Sequence, residues 1–233
     1  MRFALVVSVL AAAVALTVPG EALATDECKG LDVCISVPGP WVAVPGSPTG
    51  RLTTVEYQLT CPRASIVGGL DAVYADRSLL VRFLGKLGSP VNPGISTERS
   101  VIFQVSTARR APTALRPLVG CIPTSGGGGR STTAVRPSQP RPPARLVRSV
   151  RVRTVGGGSL AFACRSGERL VGSSYAVAFR AQRVPTAAAL AGVVVTKREQ
   201  RNRVVVRAHR TGAVPPRANV EVQVHILCAK GPA

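Results

Sequence analysis

Glu221-Val222-Gln223-Val224-His225-Ile226-Leu227-Cys228 sets the pattern of the whole chain. Val222, Val224, Ile226 and Cys228 share one parity; Glu221, Gln223 and His225 share the other. Successive side chains of a strand point to opposite faces, so this stretch predicts a strand with an apolar face and a polar one, and it places Cys228 on the apolar face. The same phase leads into three more cysteines. Val55, Tyr57 and Leu59 are in phase with Cys61, Val119 with Cys121, and Leu160 and Phe162 with Cys164.

Cys61 and Cys164 lie 103 residues apart and Cys121 and Cys228 lie 107 apart, with similar short segments between them. Val67-Gly68 matches Val171-Gly172, Ala72-Val73 matches Ala176-Val177, and Val101-Ile102-Phe103 matches Val204-Val205-Val206. A self-match of this period predicts an internal duplication. Four cysteines at core-facing parity then predict one bridge inside each copy, Cys61–Cys121 and Cys164–Cys228. Cys28 and Cys34 remain to close a small N-terminal loop.

The intervening segments read as short strands. Leu79, Val81 and Phe83 alternate with Leu80, Arg82 and Leu84, and Gly/Pro turns such as Pro45-Gly46-Ser47-Pro48 punctuate the chain. The alanine-rich Thr186–Ala191 allows no more than a turn or two of helix. The fold class expected is all-β: two tandem antiparallel β-sandwich domains, one disulfide each, over residues 25–123 and 146–233. Residues 124–145, with four glycines at 126–129 and then a Pro/Arg/Ser tract, are expected to be a flexible linker.

Residues 1–24 have the form of a signal peptide. Arg2 precedes an apolar run from Phe3 to Val18, and Ala22-Leu23-Ala24 offers a small-x-small cleavage site. Export places the mature chain in a disulfide-permissive compartment, and no later segment is apolar and long enough for a spanning helix. The cysteines lack metal-ligand spacing, the closest pair being Cys28 and Cys34, and the two histidines are His209 and His225. Neither a metal nor a cofactor is expected.

The net charge of +19 is unevenly distributed. Up to residue 123 there are 11 Lys/Arg against 8 Asp/Glu; from residue 124 there are 19 against 3. In the strand beginning at Arg201, Val204, Val206 and Ala208 have buried parity, leaving Arg201, Arg203, Arg207 and His209 facing water. Arg151 and Arg153 oppose Val150 and Val152 in the same way. Such stripes point to an anionic polymer as partner: a cell-wall polymer, an acidic polysaccharide or extracellular DNA. The competing explanation is genome composition, because 26 of the 30 basic residues are Arg in a chain rich in Ala, Gly, Pro and Val.

Catalytic signatures are sparse. No Gly-x-Ser-x-Gly elbow occurs, and both histidines read as surface residues of strands. Asp71, Asp76 and Glu98 are the carboxylates from which a secreted hydrolase could be built, and the loop Gly85–Ser100 is where a protein-binding factor would meet its partner. The reading that follows is an exported, non-catalytic binding or structural module.

Overall fold

The structure is a computed structural model that describes residues 26–31, 33–85, 99–124, 144–152 and 157–230. The signal segment, Glu98, Arg153, nearly all of the 85–100 loop and nearly all of the expected linker lie outside the described residues. The described chain is almost entirely antiparallel β. Its first half contains β1 (Ile35–Pro38), β2 (Trp41–Val44), β3 (Thr53–Thr60), β4 (Ser65–Tyr74), β5 (Leu80–Leu84), β6 (Ser100–Thr107) and β7 (Thr113–Pro123). The second half contains β8 (Ala144–Val152), β9 (Gly158–Ala163), β10 (Glu168–Arg180), β11 (Val193–Gln200), β12 (Arg203–Arg210) and β13 (Asn219–Lys230). One helical turn, α1 (Ala187–Ala191), is capped by the Thr186 hydroxyl, which accepts from the Ala189 amide.

Seven strands form one central sheet. β7 pairs with β4 on one side and with β1 and β2 on the other, and β10 and β8 flank β13. β2 joins the two sets, pairing with β7 through Val42–Val44 and with β10 through Trp41–Ala43. Two further three-stranded sheets, β3-β6-β5 and β9-β12-β11, cover opposite faces of it. The expected separate sandwiches therefore share their inner layer.

Alternation along β2 shows why both faces are dry. Trp41 and Ala43 enter the core under β9-β12-β11, with Phe162, Val204, Val206 and Val222. Val42 and Val44 enter the core under β3-β6-β5, with Tyr57, Val101, Phe103 and Val119. β10 does the same, sending Val177 and Phe179 to one core and Ala176 and Ala178 to the other. A strand buried on both faces reads as a continuous apolar run, as Trp41-Val42-Ala43-Val44 does.

All three disulfides join the pairs expected: Cys28–Cys34, Cys61–Cys121 and Cys164–Cys228. Cys61 follows β3 and Cys121 lies in β7; Cys164 follows β9 and Cys228 lies in β13. Each long-range bridge thus fastens an outer sheet to the central one.

The ladders refine the internal sequence match by one residue. Val67 pairs with Cys121 and Gly69 with Gly120 across a bulge at Gly68, whereas Leu170 pairs with Cys228 and Gly172 with Leu227 across a bulge at Val171. By position on the ladder Val67 is matched by Leu170, where the sequence comparison set it against Val171. Val171 is the apolar residue next to a glycine, as Val67 is, so composition alone did not fix the register.

The N-terminal loop lies on this same ladder. The Glu27 carbonyl sits over both Gly69 and Gly120; a Cβ at Gly120 would fall 2.0 Å from that oxygen and 2.9 Å from Cys34 Sγ. Gly120→Ala is expected to cost about 1–3 kcal/mol in a urea titration, because backbone and a disulfide must move. Gly212→Ala, with nothing within 4 Å of its Cβ position, should change the midpoint little. Equal effects at the two positions would show that the loop does not pack as described.

Candidate functional site: a cationic sheet face

β12 sends Val204, Val206 and Ala208 into the core and leaves Arg203, Val205, Arg207 and His209 on the outer face. β11 and β12 are joined by the two-residue turn Arg201-Asn202. Asn202 anchors it: its side-chain oxygen accepts from the Leu170 amide at 3.2 Å, its side-chain nitrogen donates to the Glu168 carbonyl at 2.7 Å, and its carbonyl accepts from the Cys164 amide. The expected basic stripe is present at Arg203 and Arg207. Arg201 differs from expectation, occupying the turn rather than the strand, because the hairpin ladder closes at Gln200 and Arg203.

The hairpin adds a residue that the sequence reading missed. Arg198 of β11 stands opposite Val205, between Arg203 and Arg207, and Thr196 and Gln200 complete the row. These six residues line a shallow depression. Beside it, β9 presents the small residues Ser159, Ala161 and Ala163. Recognising Arg201-Asn202 as a two-residue hairpin turn would have folded β11 back against β12 and brought Arg198 onto the stripe.

Among the described residues, Arg198, Arg203 and Arg207 make no ion pair. The nearest acid in sequence, Glu199, has the opposite parity: it binds Lys197 at 2.9 Å and the Ser173 hydroxyl at 2.6 Å. The Ser173 hydrogen bond, and then Lys197, hold its carboxyl below the usual range. The face therefore concentrates positive charge over a largely polar floor, with His209 at its end.

The other expected residues lie elsewhere. Arg151 alternates with Val152, which is buried under β9-β12-β11, so it stands on the opposite side of the central sheet from that core. The structure does not unite Arg151 with Arg203 and Arg207, and Arg153 is not described. His209 is exposed at the end of the stripe. His225 is the clearest correction: expected at the surface, it is 1% exposed. The polar parity of β13 faces β3 of the first half, not water. Gln223 receives a hydrogen bond from the Gln58 amide at 2.6 Å and returns one to the Gln58 carbonyl at 3.0 Å. His225 Nε2 lies 2.7 Å from the same Gln223 oxygen, which requires that nitrogen to donate. Tyr57 donates to Glu221, which also pairs with Arg180. Burial, reinforced by Glu221, pushes the Tyr57 phenol far above its ordinary pKa and keeps it a donor.

Asp71 accepts from the backbone amides of Asp26 and Ala72, at 2.9 and 2.7 Å. Asp76 pairs with Arg109 and accepts from the Ser78 amide. Each carboxylate thus holds a different segment in place. Among the described residues no group of three His, Cys, Asp or Glu is arranged to hold a metal ion, and no helix is long and apolar enough to cross a membrane.

Comparison with known proteins found no matching family model, no matching curated protein and no matching solved structure.

Proposed function

We propose that the protein is an exported, non-catalytic binding module, formed by duplication of a disulfide-closed β unit, which holds anionic polymers on the outer face of β9-β12-β11. The observation that carries this reading is the set Arg198, Arg203 and Arg207, gathered on one exposed face without an ion pair among the described residues. Sheet layers fix the three positions, so the charges are held together before any ligand arrives. Export is supported by the signal-like segment 1–24 and by three disulfides, which persist in oxidising compartments. Duplication is supported by the matching strand orders β3-β6-β5 and β9-β12-β11 and by the paired bulges at Gly68 and Val171. The described part of the face carries no aromatic platform, since Phe162 of β9 points inward. Base stacking is thus disfavoured, and a phosphate-, sulfate- or uronate-bearing backbone is the better fit. The hydrolase reading has less support, because Asp71 and Asp76 are engaged in loop contacts.

Binding should fall steeply with salt. On duplex DNA, used as a calibrated polyanion, the log–log slope is about −0.9 per phosphate neutralised. Combining Arg198→Gln, Arg203→Gln and Arg207→Gln should flatten that slope by up to about 3 and leave the urea midpoint nearly unchanged, since all three side chains are exposed. Heparin and a glycerol-phosphate polymer should show the same loss. Binding that ignores salt, or survives the triple substitution, would reduce the stripe to genome composition.

A further inference from the structure

β2 and β10 part company at one end of the central sheet. Their ladder runs from Trp41↔Phe179 to Ala43↔Val177 and stops. Pro45 and Gly46 then turn away, Gly46 being held so close to the Arg110 carbonyl that a Cβ would fall 2.0 Å from it. Ser47 secures the departure by donating its amide to the Arg109 carbonyl at 2.6 Å. Beyond Val177, β10 therefore has no β2 partner, and a cavity of about 310 Å³ opens beside Tyr175.

Because the gap interrupts the sheet, both cores contribute to its walls: Val55 from one, Ala43, Val177 and Leu190 from the other. Arg110 and Tyr175 are the polar side chains among the lining residues, and no carboxylate is among them. Arg110 is exposed and makes no ion pair among the described residues, whereas its neighbour Arg109 is neutralised by Asp76. Small-molecule sites combine apolar walls with a few placed polar groups, in volumes of roughly 300–1,000 Å³. This cavity is at the small end of that range.

We propose that it binds a compact amphipathic carboxylic acid. The aromatic or branched apolar body lies against Val55, Val177 and Leu190. The carboxylate meets Arg110 at the exposed rim, and the Tyr175 hydroxyl supplies a second donor. The volume excludes a long acyl chain, and the cation without a lining acid selects an anion over a neutral head. This site is separate from the arginine face of β12, which it does not share a residue with.

The test is titration of the full mature chain with 4-phenylbutyrate and with 4-phenyl-1-butanol, followed by amide shifts. Saturable binding of both is expected, with shifts at Ala43, Val177 and Leu190 and none at Arg203 or Arg207. The acid should bind about tenfold more tightly, the gain of a charge-assisted contact. Arg110→Gln should level the two ligands without weakening the alcohol, and Ala191→Phe should abolish both by filling the space. If Ala191→Phe does not fold, the Arg110→Gln comparison still decides. No saturation, equal affinity of acid and alcohol for the native chain, an acid preference surviving Arg110→Gln, or shifts confined to the β12 face would each overturn the assignment. The last outcome would leave the polymer-binding face intact.

Discussion

Replacing Cys164 and Cys228 together by alanine is expected to remove about 4 kcal/mol of stability. The bridge closes a sequence separation of 64 residues, and releasing a loop of that size returns entropy of this order to the unfolded chain. Against a typical total of roughly 5–15 kcal/mol, that is about a quarter or more of what holds the fold. Location adds to the effect. Cys228 is buried in the core between the central sheet and β9-β12-β11, so the bridge is what fastens the arginine-bearing sheet to its support. Removing Cys61–Cys121, with a separation of 60, should cost nearly the same on the other face. Removing Cys28–Cys34, which spans 6 residues, should cost about 2 kcal/mol. Urea titrations of the three double mutants test the order. If the short bridge proved the costliest, the N-terminal loop rather than the layer contacts would be the centre of stability.

That prediction rests on the part of the fold that was legible in sequence. Strand parity carries the positions of Cys61, Cys121, Cys164 and Cys228, and parity depends only on the two-residue repeat of a strand. The outward placement of Arg203 and Arg207 was legible for the same reason. Parity states which side chains share a face, but not what that face meets. Glu221, Gln223 and His225 were correctly grouped and wrongly exposed to water, because the surface that covers them belongs to β3, more than 160 residues earlier. Similarly, Trp41-Val42-Ala43-Val44 carries too short an apolar run to announce a strand shared by two halves. Arg198 depended on a turn with neither glycine nor proline. Each miss concerns a contact between elements, where the local repeat holds no information.

The interface between halves yields the second large effect. Gln223→Leu should cost about 3 kcal/mol and loosen one half from the other. The native amide imitates a neighbouring strand, accepting from the Gln58 N–H and donating to the Gln58 carbonyl across the outer edge of β3. Leucine is of similar size and can stay buried, but it satisfies neither group and also leaves the His225 Nε2–H without its acceptor. Buried polar groups stranded in this way cost about 1–3 kcal/mol each. Other links between the halves among the described residues include Tyr57 to Glu221, Ser174 to Glu56, the three-residue pairing of β2 with β10, and the apolar packing of Trp41 and Ala43 in one core and of Ala176 and Ala178 in the other. A protease site introduced within residues 125–143 makes the coupling measurable. After cleavage the native halves should elute together from a sizing column and unfold in one transition, because β2 and the Gln223 clamp still join them. Cleaved Gln223→Leu protein should separate into two species, or unfold in two steps, at a urea concentration that leaves the native pair intact. If the cleaved native halves came apart without denaturant, the shared sheet would be too weak to unite them, and the arginine face would have to be treated as the property of residues 144–230 alone.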